Sequence, residues 1–316
     1  FSDVFATDQD VNLSSHRKRN ALEVAYGIKG FDYVGDSYKD IPVFAAARQS
    51  LLVDPSDTLT SKATSVGTIS HVFRLRVSRI KVLAKAMRLH QWAKNALLAV
   101  PLFAAHLVFD FQAWLHIGLA FFAFGFVASA TYLVNDLLDL SSDRRHAKKR
   151  FRPLASGALS IPNGLVLVAI CALLGASLTA FLLPFGFSAY IATYVVLTLS
   201  YSFTLKRRLM IDVLTLAMLY TLRILAGGAA IGVVVSEWLL MFSPFLFLSL
   251  AFLKRAIDMA GAKNSGRLAG RGYAPGDLYI VKIMGVSSGL ISVLVLALYV
   301  TSSAVTVLYA SPKILW

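Results

Sequence analysis

The chain has 316 residues, 57% of them hydrophobic and only 15% charged, with a mean hydropathy of +0.67 and a formal net charge of +14. That composition excludes an ordinary water-soluble domain and defines an integral membrane protein. The basic residues lie in short segments between apolar runs rather than over one continuous surface, which sets nucleic acid aside; the single cysteine, Cys171, sits in an apolar run, so neither an intrachain disulfide nor a thiolate metal site is available.

The first residues differ from the rest. Phe31-Asp32-Tyr33-Val34 reads as a short strand and Gly35-Asp36-Ser37-Tyr38-Lys39-Asp40 as the loop after it, with Lys18 in a basic helix-like stretch before and Ala45-Ala46-Ala47 beyond. Together these resemble the last third of a haloacid dehalogenase-like phosphatase domain. The resemblance implies loop aspartates that bind Mg²⁺ and a lysine that contacts a phosphoryl group. No Asp-x-Asp nucleophile segment precedes them, so residues 1–58 read as the carboxy-terminal fragment of such an α/β domain, too short to close a doubly wound core or to work as a phosphatase. Residues 59–85, polar and then basic, read as a linker to the membrane surface, with an amphipathic interfacial helix over about 72–89.

Apolar stretches long enough to span a bilayer, or nearly so, fall at about 95–109, 113–135, 163–183, 187–203, 211–233, 238–253 and 279–303, about seven in all. The first is short for a full crossing, with Pro101 inside it and Trp92 just before it. Basic residues gather before the first stretch (Lys81, Lys85, Arg88, Lys94), in 144–152, in Lys206-Arg207-Arg208 and in 254–271, whereas the turns near 110, 185 and 236 carry none. This alternation places the amino terminus and every basic loop on the cytoplasmic side of the plasma (inner) membrane, and the candidate chemistry with them.

Asn135-Asp136-Leu137-Leu138-Asp139 through Asp143 ends the second apolar stretch. At about 100° per residue, Asp136, Asp139 and Asp143 share one narrow helix face, where their oxygens could converge on one or two hard cations, Mg²⁺ above all. Asn135 offers a neutral oxygen beside them. Arg144, Arg145, Lys148, Lys149, Arg150 and Arg152 follow directly as a cationic shell suited to phosphate. The bland alternative is a loop whose charges merely set topology. Two further cytoplasmic segments combine cations with a carboxylate: Tyr201 to Arg208 followed by Asp212, and Lys254-Arg255 followed by Asp258, Arg267, Arg271 and Tyr273. Packed together, the three would wall a pocket with metal ligands on one side and phosphate donors on the other. Arg223 lies eleven residues beyond Asp212 on the same helix face, about 16 Å deeper. An arginine at that depth requires a polar cavity or a structural partner.

Tyr132-Leu133-Val134-Asn135-Asp136 through Asp143-Arg144, with Lys149-Arg150-Phe151-Arg152-Pro153 and Ala155-Ser156-Gly157, resembles the first aspartate-rich motif of the UbiA superfamily of intramembrane prenyltransferases. The likeness runs from about residue 86 onward, through Arg88-Leu89-His90-Gln91-Trp92-Ala93-Lys94-Asn95, Tyr201 to Lys206, and Leu222-Arg223-Ile224-Leu225-Ala226-Gly227-Gly228. It implies an all-α, polytopic helix bundle over 86–316, with about nine spans in the family and about seven here, so the carboxy terminus is expected to be incomplete. Within the superfamily the chain is most similar to the polyprenyl-phosphate (decaprenyl-phosphate) phosphoribosyltransferase branch. That resemblance implies transfer of 5-phosphoribosyl from phosphoribosyl pyrophosphate to a polyprenyl phosphate with release of pyrophosphate. Asp136, Asp139 and Asp143 would be catalytic and, with Asn135, hold Mg²⁺. Lys149, Arg150 and Arg152 would bind the donor phosphates, and Lys94 and Lys206 would lie nearby or on the acceptor. Asn95, Arg144, Tyr201, Asp212, Arg223, Lys254 and Arg255 complete the expected substrate site.

Two departures stand out. Asp212 is followed four residues later by Leu216, so the carboxylate pair of the aromatic-prenylating members is absent, and Asp258 stands where the branch's Lys-Arg-x-x-Glu pattern would place a glutamate. The rival reading within the superfamily is prenyl transfer from a prenyl diphosphate to an aromatic acceptor. A more distant one is a transporter or lipid-binding membrane module, with Asp212 and Arg223 on an ion or substrate path. The Asp-Gly and Ala-Arg framework of phosphatidyl-alcohol transferases is not seen.

Overall fold

A computed structural model describes residues 12–73, 78–261, 272–302 and 305. The chain divides into two compact units, 1–78 and 79–316. Arg267, Arg271 and the stretch 311–316 lie outside the described residues, as do 74–77 of the expected interfacial helix.

The first unit is a three-stranded parallel sheet, β1 (Asp32–Gly35), β2 (Gln49–Val53) and β3 (Ile69–Phe73), in the order β1-β2-β3, with helices α1 (His16–Tyr26), α2 (Ile41–Ala46) and α3 (Asp57–Val66). The expected strand at 31–34 is β1. The expected linker over 59–85 is corrected at its start: residues 57–73 supply α3 and β3, and the unit ends near 78. Ser56 caps α3 by accepting from the Leu59 amide at 3.2 Å, and Leu59 and Ala63 are buried, the latter against Phe44 and Leu52. Two apolar anchors one turn apart suffice to dock an otherwise polar helix, so composition alone hides it. Lys18 Nζ donates to Asp40 Oδ1 at 2.9 Å and to the Tyr33 hydroxyl at 3.0 Å, and these contacts hold the ammonium pKa well above its usual value.

The second unit begins with α4 (Arg79–Ala86), the helical part of the expected interfacial segment. Among the described residues six helices are long and apolar enough to cross a membrane: α6 (Phe111–Leu138), α8 (Ile161–Leu182), α9 (Phe185–Phe203), α10 (Ile211–Ile231), α11 (Glu237–Gly261) and the stretch ending in α12 (Leu278–Thr301); a short helix, α7 (Leu140–Arg145), follows α6. α6 and α10 form the centre, with 61% and 56% of their most apolar windows buried, against 17% for α8.

The first expected span, at about 95–109, takes another form. Leu89–Ala99 is a 3₁₀ helix of 11 residues, continued by α5 (Val100–Ala104) of 5. At about 2.0 Å per 3₁₀ residue and 1.5 Å per α residue the two extend about 30 Å, the thickness of a hydrocarbon core. Their contacts agree: Arg88 meets Asp136 at one end of α6, Trp92 bonds Ser129, and Leu102 packs with Ala113 and Ile117 at the other end. A threefold repeat aligns Trp92, Asn95 and Leu98 on one face. That face sits on glycines: a Cβ at Gly227 would lie 2.1 Å from the Leu98 carbonyl oxygen, and one at Gly125 would lie 2.7 Å from the Trp92 indole.

Candidate active site

A cavity of about 300 Å³ opens among the 3₁₀ helix, α6, α9 and α10. Successive turns supply its walls. α6 contributes Thr131, Tyr132 and Asn135, with Asp139 at its carboxy-terminal cap, α9 contributes Tyr194, Thr198, Tyr201 and Ser202, and α10 contributes Leu216, Leu219, Tyr220 and Arg223. These recur at three- and four-residue intervals, so one stripe of each apolar helix is polar and the stripes converge. Arg88, Lys94, Lys149, Arg152 and Lys206 complete the lining.

The acidic motif sits at the end that carries the basic loops. Asp136 is buried; its Oδ1 accepts from Arg88 Nη2 at 2.5 Å and Arg152 Nη1 at 3.0 Å. Arg152 also donates to Asp143 Oδ2 at 2.6 Å, bridging two of the three carboxylates, while Lys149 Nζ stands 3.9 Å from Asp143 Oδ1. Asp139 Oδ2 accepts from Asn135 Nδ2 at 3.3 Å and from Lys206 Nζ at 3.4 Å. Arg88, at a positive φ of 53°, turns the chain from α4 into the 3₁₀ helix and aims its guanidinium at Asp136. Lys85 Nζ reaches the Phe151 carbonyl at 3.0 Å and ties the same end to the loop after α7.

The oxygen donors suit a hard divalent ion, and the buried Asp143 Oδ1 has no hydrogen-bond partner among the described residues. In this arrangement, however, the Arg152 guanidinium occupies the space between Asp136 and Asp143, and among the described residues no cluster of three carboxylate, imidazole or thiolate groups is close enough to hold a metal.

At the inner end Arg223 is buried over three aromatic rings, those of Tyr194 (5.0 Å), Phe124 (5.2 Å) and Tyr220 (5.8 Å). It donates to Asn95 Oδ1 at 3.2 Å, to the Leu219 carbonyl at 2.6 Å and to the Tyr194 hydroxyl at 3.4 Å. Asn95 is thus a buried support behind Arg223 rather than part of the lining. Lys94 Nζ stands over the Tyr220 ring at 5.6 Å and lines the same cavity as Arg223.

Several expected site residues lie elsewhere. Asp212 and Arg255 are fully buried and paired at 2.6 Å; Arg255 also reaches Asp258 at 3.2 Å, and Tyr273 donates to Asp212 Oδ1. They pack with Val213, Ala251, Phe252 and Met259 and do not line the cavity. Burial, and then Asp212, hold the Tyr273 phenol well above its usual pKa. Lys254, Arg144 and Arg150 are exposed, with Arg150 over the Phe151 ring. The distinction is physical: a full ion pair closes on itself, whereas a cavity needs groups that face an open space. Sequence reasoning named Tyr201 but missed Arg88, Tyr132, Tyr194, Thr198 and Tyr220 as lining residues. The row on α9 was visible as Tyr194, Thr198 and Tyr201 at steps of four and three.

Residues 96–316 match the model of the UbiA prenyltransferase family, and the chain belongs to that family. Within it, the chain is 37% identical to decaprenyl-phosphate phosphoribosyltransferase of Corynebacterium glutamicum over 216 residues, 66% of this chain and 64% of that protein. It is 38% identical over 310 residues to y4nM of Sinorhizobium fredii, an uncharacterized protein, an alignment through both units that covers 97% of this chain and 60% of y4nM. The chain therefore spans less than two thirds of the length of either relative. A UbiA homologue from Archaeoglobus fulgidus bound to GPP and Mg²⁺ shares the fold, with a TM-score of 0.58 and 19% identity over 74% of this chain and 83% of that one.

Proposed function

We propose that the membrane unit transfers a 5-phosphoribosyl group from phosphoribosyl pyrophosphate to a polyprenyl phosphate. The observation that carries this reading is the set of charged and hydroxyl-bearing side chains gathered on one cavity: six cations, Asp139, Asn135, Ser202, two threonines and four tyrosines line it with Leu216 and Leu219. A phosphorylated sugar gives those cations and hydroxyls partners that a hydrocarbon tail does not. Alignment with decaprenyl-phosphate phosphoribosyltransferase supports the same assignment.

In this scheme Arg88, Arg152, Lys149 and Lys206 receive the pyrophosphate, which gains negative charge as it leaves. Mg²⁺ held by Asp136, Asp139 and Asp143, with Asn135, would neutralise part of that charge. Arg152 neutralises Asp136 and Asp143 until phosphate draws its guanidinium away. An oxygen of the acceptor phosphate forms the new bond to the anomeric carbon as the bond to pyrophosphate breaks. The acceptor is already an anion, so no general base is needed. The lipid tail enters from the bilayer, and the alternation of basic segments supports a site on the cytoplasmic face of the inner membrane. The amino-terminal unit retains the lysine and aspartate contact of a phosphatase-like domain, a role we propose only as ancestry.

One observation favours a second reading, prenyl transfer from a prenyl diphosphate to an aromatic acceptor: Tyr132, Tyr194, Tyr201 and Tyr220 around the cavity could shield an allylic cation. The test incubates the purified protein in detergent with Mg²⁺, polyprenyl phosphate and labelled phosphoribosyl pyrophosphate. Label should enter the lipid and fall at least about a hundredfold in Asp139→Asn. Label that enters an aromatic acceptor from prenyl diphosphate, with none in the lipid, would replace the first reading by the second.

A further inference from the structure

The cations of the cavity fall into two groups. Arg88, Arg152 and Lys206 are each paired with a carboxylate of the acidic motif, and Lys149 lies near Asp143. Lys94 and Arg223 have no such partner: among the described residues neither stands within salt-bridge distance of a carboxylate. Both instead lie over one ring, Lys94 Nζ at 5.6 Å and Arg223 Cζ at 5.8 Å from the centre of Tyr220. Arg223 bonds only neutral oxygens, those of Asn95, Leu219 and Tyr194. Aromatic faces and neutral oxygens hold a guanidinium in place but do not cancel its charge. Two like charges this close in a low-dielectric interior repel each other, and an anion between them reverses the sign of that interaction. A structural brace would account for Arg223 alone. It does not account for Lys94, which makes ring contact but no hydrogen bond among the described residues.

We infer that Lys94 and Arg223 form a second anion subsite, separate from the acidic motif, that takes a phosphate monoester. Charge selects this ligand, since a monoester carries close to two negative charges at neutral pH, matching the two cations. Shape selects it as well. Arg223 presents a planar fork of donors and Lys94 a point charge, and the hydroxyls of Thr131, Tyr132 and Tyr194 also line the cavity, as a polyol between two phosphate groups would require. The source of the monoester rests on the phosphoribosyl reading: it is the 5-phosphate of the donor, at the far end of the ribose from the pyrophosphate, or the phosphate of the polyprenyl acceptor.

Binding of ribose 5-phosphate, farnesyl phosphate and inorganic pyrophosphate to the purified protein with Mg²⁺ tests this, using the wild type, Lys94→Met, Lys94→Arg and Arg152→Gln. Lys94→Met should weaken one of the two monoesters by about tenfold or more and leave pyrophosphate within about twofold. Lys94→Arg should restore much of the loss, and Arg152→Gln should show the opposite preference. Loss confined to ribose 5-phosphate assigns the donor; loss confined to farnesyl phosphate assigns the acceptor. Unchanged affinity for both in a Lys94→Met protein of wild-type melting temperature, or a wild type that binds neither, overturns the subsite. The two readings fail separately. Wild type that shows this binding pattern yet moves no label onto lipid keeps the subsite and removes phosphoribosyl transfer, whereas label transfer with a silent Lys94→Met does the reverse.

Discussion

Arg223 and Arg255 are both buried within the membrane unit, 4% and 1% exposed, yet their surroundings are opposite. Arg255 is closed into a network with Asp212, Asp258 and the Tyr273 hydroxyl that joins α10, α11 and the segment before α12. Arg223 has three rings and three neutral oxygens, and it faces a cavity. The first charge is satisfied by the protein itself. The second is left for something else to satisfy, and that difference separates a structural charge from a binding charge better than burial does.

The largest effect should come from exchanging the two arginines for methionine in turn. Arg255→Met leaves Asp212 ionised, buried and without its main partner, which should lower stability by about 3–5 kcal/mol, read as a fall in the melting temperature in detergent. Arg223→Met leaves no carboxylate behind and should cost about 1 kcal/mol while weakening binding of the phosphate monoester and sparing pyrophosphate. Equal melting shifts for the two would erase the contrast. A smaller effect is expected one turn along α10, where Gly227→Ala would drive a methyl against the Leu98 carbonyl. About 1–3 kcal/mol of destabilisation should follow, with weaker anion binding because Leu98 lies on the segment that carries Lys94 and Asn95. An alanine variant with wild-type melting and binding would show that this close approach does not position the floor of the cavity.

Hydropathy located α6, α8, α9, α10 and α12 to within a few residues, because a long apolar run in a bilayer admits few other solutions. The same measure ended the sixth expected span at 253, whereas α11 continues to Gly261 and carries Lys254, Arg255 and Asp258 with it. Asp136, Asp139, Asp143 and the basic loop after them were readable together because one helix end and its loop bring them together. Asp212 and Arg255 were not separable from the site, since helix periodicity assigns a face but not the helix it meets. The polar row on α9 and the role of Arg88 depend likewise on which neighbours converge. Residues 57–73 were hidden for a different reason: α3 holds its place through Leu59 and Ala63, too few apolar residues to raise a polar stretch above its background.

The stretched helix at 89–99 also decides a matter of parity. If only the six long helices crossed, Arg79 to Arg88 would face the compartment opposite Lys206 and Lys254; a crossing by the short segment as well would turn all of them to the same one, as the contacts of Lys85 with Phe151 and Arg88 with Asp136 require. Odd and even therefore turn on about half an ångström of extra rise per residue. A labelling probe at His106 and another at His146 should report opposite compartments, and rewinding all 11 residues of this stretch as α-helix would leave the chain about 5 Å short of the far leaflet.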